Sequence, residues 1–311
     1  MLKFQNNNTT FSVNFEDFIL IVFVIIDDLY KKYAPAAISH RIRISSAKLS
    51  DPEIITISIC GELFGFDSEN ALFNYIDKNY RYLFPNLCSR SRFNRTRRNL
   101  LKLTNILFQK LQYIFNSFDS AYYIVDSFPL PVCKFGRAKY CNSFRGSADY
   151  GRCASKKETY FGFKVHALTT PEGFITNYEI TPASIDDRAA LRDLIFDKTD
   201  IIVIGDKGYT DKALTNELKC QDINLMTLKR SNSKIKWSKE TQRMIFSKRR
   251  RIETTFSQLS EQLNAEKVLA KSTLGLYTRM LTKIFAYDIC ILINKLSGNE
   301  YNCSRIKQLI F

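Results

Sequence analysis

Hydrophobic and polar positions follow two different periods along this chain of 311 residues. Up to about residue 115 the apolar positions recur every three or four residues, which predicts amphipathic helices. The second helix has a clear start signal: Ser50 or Asp51 as the N-cap, Pro52 in the first turn and Glu53 at the capping-box position. We predict helices over residues 14–32, 51–64, 68–80 and 89–115.

From Ala121 onward the period changes, and short runs rich in β-branched residues predict strands. We expect five strands, over residues 122–128, 160–169, 174–181, 201–205 and 223–228. The second and third form a predicted hairpin. A helix over 184–196 is expected to start with Ser184 as N-cap and Asp187 as its capping-box acid. Further helices are predicted over 211–220, 241–265 and 274–296, followed by a tail.

The composition is typical of a globular protein, because 45% of the residues are hydrophobic and 13% are aromatic. The formal net charge of +15 and the pI near 9.4 predict a strong attraction for polyanions such as nucleic acids. The longest apolar run, Phe18 to Ile26, is about half of the ~20 residues that a membrane-spanning helix needs. We therefore interpret it as a buried helix and expect no membrane partner.

Eight cysteines occur without a C-x-x-C pair, and no secretory signal is visible in the sequence. Both features predict reduced thiols and a cytoplasmic location. With only two histidines, His40 and His166, a histidine-rich metal centre is excluded. Oxygen ligation of a hard cation such as Mg²⁺ stays open.

Three acidic residues have the spacing and context of a two-metal phosphoryl-transfer site: Asp126, Asp206 and Glu253. The first two each close a short apolar run, where a carboxylate is costly without a partner. If these runs are neighbouring strands, about 4.8 Å apart, the two carboxylates can hold divalent ions roughly 3.5 to 4 Å apart. Glu253 lies at the edge of an apolar stripe on a predicted helix, formed by Ile252, Phe256, Leu259 and Leu263.

Each acid also has a simpler interpretation. An aspartate after a strand is often a turn or cap residue. Glu253 alone is well explained as a surface residue paired with Arg249 one turn earlier. The combination of all three acids in context favours the metal site.

Basic residues are concentrated in three segments that could neutralise a DNA backbone. One opens the helix predicted from residue 89, one covers 131–157 with interleaved aromatic residues, and one covers 229–251 with the single tryptophan. A solvated basic face is the alternative in each case. The predicted DNA contacts are Arg92, Arg95, Arg97, Arg98, Lys134, Arg137, Lys139, Arg145, Lys207, Trp237, Arg249 and Arg250.

Three motifs carry a family resemblance: Val-Asp-Ser-Phe-Pro at Asp126, Ile-Gly-Asp-Lys-Gly-Tyr at Asp206, and Arg-Arg-Arg-Ile-Glu-Thr-Thr-Phe-Ser-Gln-Leu at Glu253. Together they resemble bacterial insertion-sequence transposases with a DDE catalytic domain, in particular the insertion-sequence-982 family. Related groups show Tyr and Lys on either side of the third acid, where this chain has Phe246 and Ser260.

The resemblance implies an α/β fold, with a ribonuclease H-like mixed five-stranded sheet flanked by helices. The first and fourth strands would be adjacent and carry the two aspartates. The pattern of elements, taken with the resemblance, predicts three regions: a helical, helix-turn-helix-like DNA-binding region over 1–118, a catalytic domain over 119–296 and a tail over 297–311.

The implied activity is cleavage of DNA at the ends of the element, followed by joining of the freed 3′ hydroxyl to a target. The implied cofactor is two Mg²⁺ ions, with Mn²⁺ as a substitute, bridged by Asp126 and held on one side each by Asp206 and Glu253. Expected partners are double-stranded DNA, as terminal inverted repeats and target, and a second copy of the chain as a homodimer on DNA. A nucleoid-associated cytoplasmic location is expected. The alternatives are an inactive transposase-derived DNA-binding protein or repressor, and a nuclease without joining activity.

Overall fold

The computed structural model describes residues 14–42, 44–114, 120–153, 156–229, 233, 237–298 and 303–309. The chain divides into two compact units, one of Met1–Ile114 with Gln258–Phe311 and the other of Phe115–Ser257. We call them the helical unit and the sheet unit. The predicted regions 1–118, 119–296 and 297–311 divide the chain by function, and that division stays a prediction.

Ten helices are described in chain order: α1 (Phe15–Tyr33), α2 (Ala36–Ser39), α3 (Asp51–Leu63), α4 (Glu69–Asn79), α5 (Arg90–Asn99), α6 (Leu101–Ile114), α7 (Asp187–Leu194), α8 (Lys212–Lys219), α9 (Lys239–Gln262) and α10 (Thr273–Leu296). Six strands are described as well: β1 (Tyr122–Lys134), β2 (Asp149–Cys153), β3 (Glu158–Thr169), β4 (Ile175–Pro182), β5 (Ile201–Gly205) and β6 (Ile223–Thr227). Short 3₁₀ turns cover Phe135–Tyr140, Lys207–Tyr209 and Ile306–Leu309.

The helical unit confirms the predicted helices with two differences, the first of which is the short helix α2, which was not predicted. The capping box of α3 is present, since Ser50 and Glu53 each accept a hydrogen bond from the other's backbone N–H. The helix predicted over 89–115 is two helices, α5 and α6, which are separated at Leu100. Helix α10 forms the centre of this unit, because nearly all of its residues are buried and it packs on α3, α5 and α6.

The predicted tail is packed where it is described. Ile306 is fully buried, and the Asn294 side chain of α10 donates hydrogen bonds to the carbonyls of Cys303 and Arg305. These contacts place residues 303–309 with the core of the helical unit.

The sheet unit contains a mixed sheet of six strands in the order β2-β3-β1-β5-β6, with β4 paired to β3. Strand β1 is antiparallel to β3 and parallel to β5, and β5 is parallel to β6. The mixed sheet flanked by helices is confirmed, whereas the count of five strands is wrong. The missed strand, β2, is short and largely exposed, so its sequence lacks the apolar alternation that marked the others.

Strand β1 extends well beyond its predicted end at residue 128. Its pairing with β5 covers only Tyr122 to Ile124, but its pairing with β3 continues to Lys134. The extension contains Pro129 and Pro131, and proline is rare inside a strand. Proline is tolerated where a strand needs no donor on one side, and beyond Ile124 the only described strand partner of β1 is β3.

Helices α7 and α8 cover one face of the sheet through a buried apolar cluster, which includes Tyr123, Val125, Leu191, Tyr209 and Leu214. Helix α9 begins in the sheet unit and ends in the helical unit, so the predicted stripe is divided between them. Of that stripe, Ile252, Leu259 and Leu263 are fully buried. Among the described residues no helix combines the length and apolar character needed to cross a membrane.

Candidate active site

Asp126 lies within β1, two residues beyond the last pair that this strand forms with β5. Its carboxylate accepts a hydrogen bond from the Ser127 backbone N–H at 2.9 Å and from Arg249 Nη2 at 3.2 Å. Burial raises the pKa of Asp126 to about 6, and the neighbouring charge of Asp206 adds to the rise. The Ser127 N–H and the Arg249 guanidinium oppose that rise without cancelling it. This carboxylate is therefore desolvated and only partly neutralised.

Asp206 follows β5 directly and occupies the matching position on the neighbouring strand. Because Ile124 pairs with Ile204, both aspartates stand two residues past the same pair. Paired strands run about 4.8 Å apart, so the two carboxyl groups meet at the same end of β5. The expectation that the first and fourth predicted strands are adjacent is therefore met.

The turn after Asp206 holds its carboxylate in place. Gly208 donates its backbone N–H to Asp206 Oδ1. A Cβ built at Gly208 would lie only 2.7 Å from the same oxygen. A side chain at this position would displace the carboxylate, so the glycine in Gly-Asp-Lys-Gly-Tyr has a local steric reason.

Glu253 is on α9 with its side chain 56% exposed. Its Oε1 lies 3.7 Å from Arg249 Nη2, the atom that also lies 3.2 Å from Asp126 Oδ2. The two carboxylate oxygens can therefore be no farther apart than the sum of these two distances. The pairing of Glu253 with Arg249, which its simpler interpretation requires, is also present.

Arg249 is the cation between two of the three predicted acids. Its side chain is only 13% exposed, and its Nε is buried without a hydrogen-bond partner among the described residues. No group of three His, Cys, Asp or Glu side chains in the described part of the chain is close enough to hold a metal ion. The pair Asp126 and Asp206 nevertheless fits a hard cation, because it offers carboxylate oxygens from adjacent strands and burial already raises the pKa of Asp126.

A further polar cluster lies beside β1, and sequence reasoning assigned it no catalytic role. Asp187 Oδ1 accepts hydrogen bonds from Lys164 Nζ at 2.9 Å and Ser127 Oγ at 3.2 Å. The buried His166 places Nδ1 3.5 Å from the same oxygen. The predicted cap is wrong, since Asp186 and not Ser184 caps α7. Asp187 is the first helical residue, and its carboxylate points to β1 and β3.

The residues predicted to contact DNA in the helical unit differ in their surroundings. Arg92 and Arg95 are exposed on α5. Arg98 is half-exposed and paired with Glu69. The prediction for Arg97 is wrong: its guanidinium is buried and donates to Glu62 Oε1 at 3.1 Å and to Thr282 Oγ1 at 2.9 Å. The five arginines of this short helix look alike in sequence, although one of them faces the core.

In the sheet unit, the exposed residues from the predicted set are Lys134, Arg137, Lys139, Arg145, Lys207 and Arg250. Two large aromatic side chains are exposed among residues 134–140, Phe135 at 59% and Tyr140 at 79%. Trp237 is partly buried, donates Nε1–H to the Thr227 carbonyl at 2.8 Å, and has Lys229 Nζ 4.9 Å from its ring centre. It is therefore a packed tryptophan in this structure.

The family model of the transposase DDE domain matches residues 117–273, just over half of the 311 residues. The chain belongs to this DDE transposase family. The matched range of the DDE transposase includes Asp126, Asp206 and Glu253, and the predicted resemblance is confirmed at this level. Membership of the insertion-sequence-982 family stays a prediction.

The fold of this DDE transposase was also compared with solved structures. It is similar to a chain in the cryo-EM structure of a piggyBac transposase synaptic complex with hairpin DNA. The TM-score is 0.43 at 14% identity, with 91% of this chain and 79% of that chain covered. A search of curated proteins found no match.

Proposed function

We propose that this protein is a metal-dependent DNA transposase that cleaves the ends of an insertion sequence and joins them to target DNA. Asp126, Asp206 and Glu253 are its proposed catalytic residues and the ligands of two Mg²⁺ ions. The observation that supports this best is the pair of aspartates at matched positions on β1 and β5, inside the matched DDE domain. A purely structural carboxylate has little reason to be desolvated beside a second one.

When bound, the divalent ions would supply charge neutralisation at the attacking and leaving oxygens of the phosphodiester. The protein residues contribute orientation and charge. Asp126 and Asp206 project from adjacent strands, whose hydrogen-bonded register fixes their separation. The pKa of Asp126 is raised in the absence of a metal ion. A divalent cation beside it would stabilise the ionised carboxylate and lower this pKa. Glu253 approaches from α9 and is held near Asp126 by Arg249.

In the DNA-free protein Arg249 supplies the positive charge beside Asp126 and Glu253 that we assign to a metal ion in the active state. Arginine binds a phosphate in a two-point geometry that suits its planar guanidinium. In the proposed cycle a DNA phosphate draws Arg249 away from Asp126 and Glu253. The two carboxylates are then free to act as ligands.

The exposed segment Lys134–Tyr140 is the proposed DNA-contacting surface nearest in sequence to Asp126. It presents Lys134, Arg137 and Lys139 together with the rings of Phe135 and Tyr140. Basic groups neutralise the backbone, and exposed rings stack on unpaired bases. The remaining proposed contacts are Arg92, Arg95, Arg98, Arg145, Lys207, Arg249, Arg250 and Trp237, whose Nε1–H is donated to the Thr227 carbonyl.

Several finer assignments belong to the same proposal. They are the ribonuclease H-like topology, membership of the insertion-sequence-982 family, a homodimer on DNA, and a nucleoid-associated cytoplasmic location. The adjacency of β1 and β5 supports the first of these, and the charge of +15 supports DNA as the partner.

The decisive experiment measures nicking of duplex DNA that carries the terminal repeats of the element, with Mg²⁺ and with a chelator. The Asp126→Asn, Asp206→Asn and Glu253→Gln variants should lose cleavage and keep DNA binding. Asp186→Asn is a matched control, since it changes an exposed cap residue of α7. Full cleavage by any of the three variants would remove that residue from the proposed site.

The second candidate is a transposase-derived DNA-binding protein without activity. The observation that favours it is the lack of a three-residue metal group among the described residues, with Arg249 between two of the acids. Specific binding to the terminal repeats without nicking, in both Mg²⁺ and Mn²⁺, would support this candidate. Branched strand-transfer products would instead exclude both it and a nuclease without joining activity.

A further inference from the structure

A polar cluster of Asp187, Lys164, Ser127 and His166 lies next to Asp126 without including it; we call it the Asp187 cluster. Asp187 Oδ1 is its centre, because it accepts from Lys164 Nζ at 2.9 Å and from Ser127 Oγ at 3.2 Å. His166 Nε2 is bonded to Thr181 Oγ1 at 2.9 Å, and its Nδ1 has no hydrogen-bond partner among the described residues.

The Asp187 carboxylate lies against both segments that carry the proposed aspartates. On one side Ser127, which donates its hydroxyl to Asp187, donates its backbone N–H to Asp126 Oδ1. On the other side a Cβ at Gly208 would lie 4.0 Å from Asp187 Oδ2, and Gly208 donates its N–H to Asp206 Oδ1. The Asp187 side chain therefore accepts a hydrogen bond from the residue after Asp126 and faces the turn after Asp206.

The charges in the cluster make Lys164 the partner of Asp187. Burial lowers the pKa of His166 to about 4, with the charge of Lys164 lowering it and that of Asp187 raising it. At neutral pH the imidazole is thus uncharged. Lys164 is 19% exposed and Asp187 31% exposed, so this ion pair is partly shielded from water and fixed in direction by the packed strand β3.

The Tyr209 hydroxyl is a second, independent indication that the region around the Asp187 cluster binds a polar ligand. Tyr209 is 1% exposed, and its hydroxyl has no hydrogen-bond partner among the described residues. Burial raises its pKa, followed by the charges of Asp187, Asp126 and Asp206, so the hydroxyl lies within electrostatic reach of all three. Buried hydroxyls normally have a partner, which indicates a place built for a polar ligand.

Capping of α7 does not explain Asp187. The helix is capped by the neighbouring Asp186, whose side chain accepts from the Arg188 backbone N–H at 2.8 Å. The side chain of Asp187 is instead used for contacts with β1 and β3.

We propose that Asp187, fixed by Lys164, is a positioning residue of the candidate active site. It holds Ser127 and the Gly208 turn so that the carboxylates of Asp126 and Asp206 face one cation-binding position. The ligand of this site is a divalent cation that the two aspartates bind. Asp187 itself does not bind the ion. This inference rests on the proposed function.

The test compares Asp187→Asn with Asp186→Asn by calorimetric titration with Mn²⁺ at pH 8. Asparagine keeps the shape of Asp187 and removes the charge that holds Lys164. We expect Mn²⁺ affinity to fall about tenfold or more, the usual effect of losing a group that orients metal ligands. Asp186→Asn should bind as wild type does, because Asn and Asp cap a helix equally well.

Nicking rates separate positioning from loss of folded protein. Raising Mn²⁺ should restore the rate of Asp187→Asn toward that of wild type, which a misfolded fraction could not do. Lys164→Gln should give a similar loss of affinity, and the double variant no greater loss, because the pair acts as a unit. If Asp187→Asn fails to fold, Lys164→Gln alone decides the question by the same two measurements.

Equal Mn²⁺ affinity for the Asp187→Asn and Asp186→Asn variants would overturn the inference, whatever the wild-type protein does to DNA. Additive losses in the double variant would overturn it as well. A wild-type protein that binds Mn²⁺ but never nicks DNA would refute the proposed function, and the affinity comparison would still decide whether Asp187 positions the two aspartates.

Discussion

One carboxylate in each unit, Glu62 and Asp126, is fully or partly removed from water, and the two have opposite electrostatic surroundings. Glu62 in the helical unit is 3% exposed and lies among Arg97, Arg279 and Lys283. Burial alone would raise its pKa, but these three charges outweigh it and lower the pKa to about 2. Asp126 in the sheet unit has one cation, Arg249, and a like-charged neighbour, and its pKa is raised to about 6.

The contrast separates a carboxylate that stabilises the fold from one that we propose binds a ligand. Glu62 Oε2 accepts from Lys283 Nζ at 2.6 Å, and Glu62 Oε1 from Thr282 Oγ1 at 3.2 Å, so its oxygens are saturated. Asp126 keeps unused capacity beside Asp206. Burial is common to both residues, and the number of cations around each one decides its role.

The largest test of this contrast removes the charge of Glu62. Glu62→Gln would leave three buried cations without their anion, and we expect a loss of roughly 3 to 5 kcal/mol in the free energy of unfolding. Denaturant unfolding at pH 7 measures it. Glu217→Gln, which breaks the exposed pair with Arg192, is the control and should change little. A loss equal to that of the control would remove the structural role of Glu62.

The pH dependence of stability should also differ in sign between the two acids. Glu62, with its lowered pKa, stabilises the fold above its unfolded pKa, and this contribution disappears as the pH falls from about 4.5 toward 2. Asp126 has a raised pKa, so its contribution to the stability of the fold decreases as the pH rises from about 4 through 6. Asp126→Asn should remove that loss.

We therefore expect Asp126→Asn to gain stability relative to wild type as the pH rises from 4 to 7.5, by about 3 kcal/mol for a pKa raised from 3.8 to about 6. Denaturant unfolding at several pH values measures the difference, while nicking activity disappears. A variant that is destabilised at pH 7.5 as strongly as Glu62→Gln would break the contrast.

The sequence predicted one side of this contrast better than the other. Asp126, Asp206 and Glu253 can be proposed from the sequence because each lies in a short motif, after an apolar run or on a striped helix. Glu62 was invisible, since its three cations come from positions 97, 279 and 283. Long-range pairing of this kind leaves no local periodicity.

The same reason explains the individual errors. Arg97 was grouped with exposed neighbours because period and charge do not reveal which arginine faces a buried acid. Strand β2 was missed because a mostly exposed edge strand has no apolar alternation. The close approach of Arg249 to Asp126 joins residues 123 positions apart, so only the fold brings them together.

A smaller effect is expected from Gly208→Ala, which tests whether the candidate site depends on exact placement of Asp206. The new Cβ would lie 2.7 Å from Asp206 Oδ1, so the carboxylate must move. We expect nicking to fall about tenfold or more with less than about 1 kcal/mol of lost stability, since the clash is with a mobile side chain. In the Asp206→Asn background the same change should cost no further activity. An Ala variant with wild-type activity would show that the Asp206 carboxylate tolerates displacement.

The smallest expected effect concerns the single cation beside Asp126. If Arg249 competes with a divalent ion for Asp126 and Glu253, Arg249→Gln should raise Mn²⁺ affinity of the DNA-free protein a few-fold at pH 8, where Asp126 is ionised. That corresponds to an ion pair of at most about 1 kcal/mol. Arg250→Gln changes the exposed neighbour on α9 and should leave Mn²⁺ affinity unchanged, although both variants should weaken DNA binding. Unchanged or weaker Mn²⁺ binding by Arg249→Gln would mean that the arginine supports the carboxylates as Lys283 supports Glu62. The cations beside Glu62 and Asp126 would then have the same role in both units.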